Sequence, residues 1–221
     1  MKIKFDKYQE QVTGTIEVQK YDQRCIEIVA KAVSDDPSRL YICVMFYDYE
    51  DKCLVGTDGR RLHIYRLSPG LINQFPKYSC PVRYVKGSLI FYEHDSIGQF
   101  PNYKRVIPDN EDMKISDKVY PLFTKKQARA RDFRGGSEDY VNFILPRMIL
   151  DMGFVTNLDY LMDAVGQNYN LKVQKVEKNR PFVLFNEFMT VVIMPYTSDD
   201  AFINAEWGNM EVPDAGKEKE R

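Results

Sequence analysis

Residues able to do chemistry are few in this chain, and the densest group lies in Val55-Gly56-Thr57-Asp58-Gly59-Arg60-Arg61-Leu62. A carboxylate set between glycines serves more economically as a turn residue than as a general base, because Asp bonds to nearby backbone and Gly accepts a positive φ. Gly56 and Gly59 lack the spacing of a phosphate cradle. No G-x-S-x-G, P-loop, H-E-x-x-H or dinucleotide fingerprint occurs in the 221 residues. The chain therefore reads as a non-enzyme without catalytic residues. Cys25, Cys43, Cys53 and Cys80 fall at irregular separations, and His63 and His94 sit near no cluster, so no metal or other cofactor is expected. Such sparse cysteines suit the reduced core of a cytoplasmic protein.

Cation–phosphate attraction is a second possible chemistry. Thirty-one Lys and Arg against 32 Asp and Glu leave a formal net charge of −1, so no global polycation draws the protein to nucleic acid. Any DNA contact must come from a local patch. The dense basic run 125–136 supplies Lys125, Lys126, Arg129, Arg131 and Arg134, and reads equally as a phosphate-contacting loop or as solvated surface. The first eight residues hold no apolar run of a secretory leader, and no window approaches the roughly 20 apolar residues of a membrane span. A soluble chain with no membrane partner is expected.

The elements that must position these groups follow from periodicity. Cys25, Ile28, Val29, Ala32 and Val33 recur at helical spacing and predict a helix over 22–33, stopped by Asp36-Pro37. Strands are predicted over 40–49, 53–55 and 61–65, so that 22–67 reads as a helix followed by an antiparallel meander. Five prolines and glycines over 68–87 exclude a long helix, and 88–92 is another short strand. Order resumes over 143–154, and Thr156 with Asp159 makes a capping signature for a helix over 157–165. Strands over 171–177, 182–185 and 190–194 follow, before a polar tail.

Three segments in this order carry a resemblance: Val55 to Leu62, then Phe100-Pro101-Asn102-Tyr103-Lys104-Arg105-Val106-Ile107-Pro108, then Val191-Val192-Ile193-Met194-Pro195. Together they resemble the bacterial sliding clamp, the DNA polymerase III beta subunit. That family carries T-D-G-H-R-L and F-P-D-Y-R-R-V-L-P in its second domain and V-V-M-P in its last strand. The resemblance implies an α+β DNA clamp fold of repeated helix-plus-antiparallel-strand units. It covers about 20–108 and, more weakly, 150–196. Residues 1–112 correspond to a clamp-type domain like the family's middle one, 113–200 to a shortened second one containing the basic loop, and 201–221 to a tail.

Motif by motif, the resemblance implies a partner-peptide pocket. Leu40, Thr57, Arg60 and Leu62 come from the first half, Pro101, Arg105 and Val106 from the second motif, and Val192, Ile193 and Met194 from the last strand. Arg60 stands where the family has histidine. Arg24 and Lys31 on the first helix join the basic loop as candidate DNA contacts. The implied function is a DNA polymerase processivity factor or docking platform in replication. Its implied partners are double-stranded DNA bound without sequence preference, polymerase or repair proteins bound through short peptides, and a clamp loader. Two units per chain would close a ring as a homo-oligomer, a trimer or a dimer. The chain is too short for three clamp domains, the stretch 67–100 lacks a second helix, and Asp159 and Asp163 suit a DNA-facing wall poorly. The other implied function is therefore a monomeric clamp-derived adaptor that binds peptides without encircling DNA.

Overall fold

The computed structural model describes residues 11–93, 97–108 and 181–194, with 160, 163, 164, 172 and 173 between them. Its strands are β1 (Val12–Glu17), β2 (Met45–Asp48), β3 (Cys53–Thr57), β4 (Arg61–Arg66), β5 (Cys80–Val85), β6 (Ser88–Tyr92), β7 (Lys172–Val173), β8 (Phe182–Phe185) and β9 (Met189–Ile193). They form one antiparallel sheet in the order β1-β6-β5-β2-β3-β4-β9-β8-β7. The predicted meander is present as β2-β3-β4. The join between the early and late strands is β4 against β9, with Leu62 opposite Val192 and Arg61 opposite Ile193.

Helix α1 spans Lys20–Ala30 and buries Cys25, Ile26, Ile28 and Val29 against one sheet face, where Leu54, Tyr65, Met189, Val191 and Ile193 belong to the same core. It lies so close to β3 that a Cβ on Gly56 would stand 2.3 Å from the Val29 carbonyl oxygen, so only glycine fits there. Opposite Gly56, the fully buried His63 sets its Nδ1 2.8 Å from the Ile28 carbonyl. That nitrogen must carry the proton, and it satisfies an orphan carbonyl of the last helical turn. Burial holds the ring neutral, with a pKa lowered to about 4. Tyr65 ties the other end of α1 by donating to the buried Asp22 carboxylate. Tyr160, Asp163 and Ala164 are helical, and Ala164 joins the α1-side core.

The other sheet face carries a second core of Cys53, Val55, Leu62, Ile64, Val183 and Val192, closed by Tyr103 from the connecting segment 97–108. β4 feeds both cores by strict alternation. Leu62 and Ile64 face this segment, while Tyr65 faces α1.

Several expected boundaries shift for identifiable reasons. The helix predicted over 22–33 begins at Lys20 and ends at Ala30, because Ser34 N–H leaves the helical ladder to bond the Ile42 carbonyl. The strand predicted from Leu40 starts only at Met45. Asp36 accepts from Ser38 N–H, Pro37 presets the following turn, and Pro37–Ile42 becomes a 3-10 segment despite its β-prone side chains. Strand β5 was hidden among the breakers of 68–87, where the only helix is the four-residue α2 (Pro69–Ile72). β1, at the sheet edge and rich in Thr and Gly, has no alternation strong enough to predict it. The ordered stretch expected over 143–154 and the capping pair Thr156 and Asp159 lie outside the described residues, as do the basic loop and tail. Among the described residues no helix is long and apolar enough to cross a membrane, and no group of three or more His, Cys, Asp or Glu could hold a metal ion. The four cysteines form no disulfide and are all buried.

Candidate functional site

The turn between β3 and β4 is built by its own side chains. Thr57 Oγ1 accepts from Gly59 N–H at 3.0 Å and donates to the Arg61 carbonyl at 2.7 Å. One Asp58 oxygen accepts from the N–H groups of Arg60 and Arg61, and the other accepts from Arg61 Nε at 3.0 Å. Gly59 takes φ +88°, a left-handed conformation that suits glycine. Asp58 is thus spent on the backbone and on Arg61, as its turn setting implied. From across the sheet, Met194 N–H donates to the Arg60 carbonyl at 2.9 Å, so the end of β9 is pinned to this turn.

Segment 97–108 is anchored beside the turn by one phenol. Tyr103 hydroxyl donates to Asp48 at 2.9 Å, with Cys53 Sγ 3.5 Å away, and Lys104 Nζ bridges Asp48 and Asp51 at 3.3 and 2.7 Å. Burial opposes ionisation of Asp48, but the Tyr103 hydroxyl, two backbone N–H groups and the Lys104 ammonium outweigh it and hold the carboxyl below its ordinary range. Burial pushes the Cys53 thiol up to about 11 and keeps the Tyr103 phenol protonated. Phe100 stacks on Phe46 with centroids 4.9 Å apart.

Between the turn, this anchored segment and β9 lies a pocket of about 270 Å³. It is lined by Thr57, Arg60 and Leu62 from the turn and β4, by Pro101 and Val106 from the anchored segment, and by Val192 of β9 and Met194 just past its end. Those seven of the ten residues singled out for a pocket thus meet around one cavity. The other three are placed elsewhere. Ile193 is fully buried in the α1-side core, because neighbouring strand residues face opposite ways and Val192 already faces the pocket. Leu40 packs on a small cluster with Cys43, Val44, Tyr92 and Ile97. Arg105 is exposed but does not line the cavity, since in the 3-10 segment Tyr103–Val106 the pair three apart, Tyr103 and Val106, shares the inward side.

The lining includes residues that the sequence did not single out: Arg39, Tyr41, Ile42, Gly59, Arg61, Asn102 and Tyr103. Arg39 was legible only through the 3-10 turn that replaces the expected strand, and its Nη2 donates to the Asp58 carbonyl at 3.1 Å. Arg61 was legible only through a partner distant in sequence. Its Nη1 meets Asp163 at 2.7 Å, its guanidinium also bonds the Lys31 carbonyl, and Tyr160 lies beneath it with 4.4 Å from Cζ to the ring centroid.

Of the DNA-contact candidates, Arg24 is exposed on α1, while the Lys31 ammonium lies 3.3 Å from Asp163. Lys125, Lys126, Arg129, Arg131 and Arg134 lie outside the described residues.

This sheet, with α1 on one face and an anchored segment on the other, has counterparts among solved structures. The Pseudomonas aeruginosa DNA polymerase sliding clamp, solved with a ligand, superimposes with a TM-score of 0.54 at 15% identity, over 83% of this chain and 66% of that one. The Bacillus subtilis sliding clamp gives 0.52 at 14% identity, covering 89% of this chain and 69% of its own. Caulobacter crescentus pol III beta gives 0.51 at 16%, covering 86% and 67%. The chain has the sliding-clamp fold. It spans just under two thirds of the length of the Pseudomonas clamp. No protein-family model and no curated protein matches the sequence. The sliding-clamp likeness therefore rests on architecture, and the α+β expectation of helix plus antiparallel strands agrees with it.

Proposed function

We propose that the protein is a clamp-like, non-enzymatic processivity factor or docking platform in DNA replication, and that its pocket receives short peptides of polymerases or other replication and repair proteins. The observation that carries this reading is the pocket's composition. Its floor is apolar, from Leu62 and Val192, and two large apolar side chains at its mouth, Val106 and Met194, are 41% and 42% exposed. A soluble protein that leaves such side chains open around a concave site has a surface suited to apolar anchors of a partner, and Met adapts to more than one anchor shape. Anchoring of the rim by the Asp58 carboxylate, the Tyr103 hydroxyl and the Arg60–Met194 backbone bond keeps the cavity preformed, which lowers the ordering cost of binding.

The test is Met194→Asp, made at an exposed position so that folding is spared. Fluorescence anisotropy with labelled hexapeptides containing an adjacent Leu-Leu pair should register binding to the wild type and at least a ten-fold loss in the variant, with circular dichroism unchanged. Equal affinity in both would remove the pocket from the function.

A second reading, the monomeric adaptor that does not encircle DNA, draws support from Asp163, which meets Lys31 and Arg61 on the helix side of the sheet. A wall meant for phosphates favours uncompensated cations. Retention on circular but not linear DNA, together with a ring-sized mass in light scattering, would favour a homo-oligomeric ring and a loader; a monomer with no retention would favour the adaptor.

A further inference from the structure

We propose that Arg60 makes the pocket selective for acidic peptides, those carrying a carboxylate beside the apolar anchor; this rests on the peptide-docking reading above. Among the described residues three arginines line the cavity, Arg39, Arg60 and Arg61, and no Asp or Glu does. Two of the three are already engaged. Arg61 is held by Asp58 and Asp163, and Arg39 lies 3.4 Å from the Asp36 carboxylate while donating to the Asp58 carbonyl. Arg60 differs from both. Its main chain is held at both ends, N–H to Asp58 and carbonyl to Met194, yet its side chain is exposed and pairs with no carboxylate among the described residues.

A fixed backbone carrying an uncommitted guanidinium at the mouth of an apolar cavity is a directed anion receptor. Its planar fork can take both oxygens of a carboxylate, and the pinned main chain limits the ordering cost. An acidic side chain next to the anchor meets attraction there, and a lysine in its place meets repulsion.

The experiment uses the full chain and three labelled hexapeptides that differ only in having Asp, Asn or Lys before a Leu-Leu pair. For the wild type at low salt, the expected order is Asp over Asn over Lys, each step being about two- to five-fold, as befits a partly exposed ion pair. Arg60→Gln should bind all three alike, and Arg60→Glu should reverse the order. Raising the salt to 0.5 M should shrink the wild-type preference. If the wild type binds the three peptides equally, or Arg60→Gln keeps the preference, the selectivity proposal is overturned and the docking reading stands. If the wild type binds none of them, both fail.

Discussion

Replacing Asp163 by alanine removes one acceptor from two cations, and the two losses should differ several-fold. Arg61 and Asp163 meet at 2.7 Å with side-chain exposures of 10% and 31%, whereas Lys31 meets the same carboxylate at 3.3 Å and is 47% exposed. A charge-assisted hydrogen bond in a largely desolvated setting is worth about 1.5–3 kcal/mol, while an exposed ion pair is worth about 0.2–1 kcal/mol. Arg61 keeps Asp58 and the Lys31 carbonyl when Asp163 is lost, so the guanidinium is not stranded and the cost stays below the ~3–5 kcal/mol of a broken fully buried pair. Asp163→Ala should therefore destabilise by about 2 kcal/mol, lowering the urea midpoint by about 1 M at unchanged slope, read by far-UV circular dichroism. Two double-mutant cycles apportion this loss. Asp163→Ala with Arg61→Met should give a coupling of about 1.5–3 kcal/mol, and Asp163→Ala with Lys31→Met below about 1 kcal/mol. A Lys31 coupling equal to or above that of Arg61 would refute the reasoning that burial, and not simple proximity, sets the strength of this long-range link within the chain.

Two further expectations follow from the buried polar groups. His63, whose pKa is lowered to about 4 by burial, stays neutral in the folded chain while an unfolded imidazole protonates near 6.5. The unfolded state thus binds the extra proton between those values; stability is full above pH 6.5 and falls by about 1.4 kcal/mol per unit as the pH drops toward 4. Urea midpoints measured at pH 7.5, 6 and 5 should fall accordingly in the wild type and more gently in His63→Gln; parallel pH profiles would contradict it. Tyr103→Phe deletes the donor that holds Asp48 and anchors one pocket wall, so it should cost about 1.5–3 kcal/mol, raise the Asp48 carboxyl in an NMR titration and weaken peptide binding. An unmoved Asp48 titration would show that the phenol does not hold that carboxylate. The Met194→Asp and Arg60 peptide measurements complete the set.

Local chemistry was legible in the residues themselves. Thr57-Asp58-Gly59 announces a self-bonded turn, because a short hydroxyl, a carboxylate and a residue tolerant of positive φ act within a few bonds of one another, and the structure contains that turn. The alternation in β4 likewise follows from a period of two, which each residue obeys without reference to the rest of the chain. The sequence also carried enough motif order to lead to the clamp fold.

What it left open was decided by packing between distant segments. Periodicity says that Val192 and Ile193 face opposite sides of a strand but not which one meets the pocket; that choice is made when β9 pairs with β4 and one face is covered by α1. Leu40 reads as β-prone, yet the Asp36 bond to Ser38 and the proline between them turn the chain and bring Arg39 and Tyr41 to the cavity instead. Arg61 read only as the first residue of a strand until the fold carried Asp163, 102 positions later in the chain, to within 2.7 Å of it. Short-range steric and hydrogen-bonding rules are carried by neighbouring residues, whereas the side on which a group is desolvated, and the charge it meets there, exist only once remote strands and helices share a core.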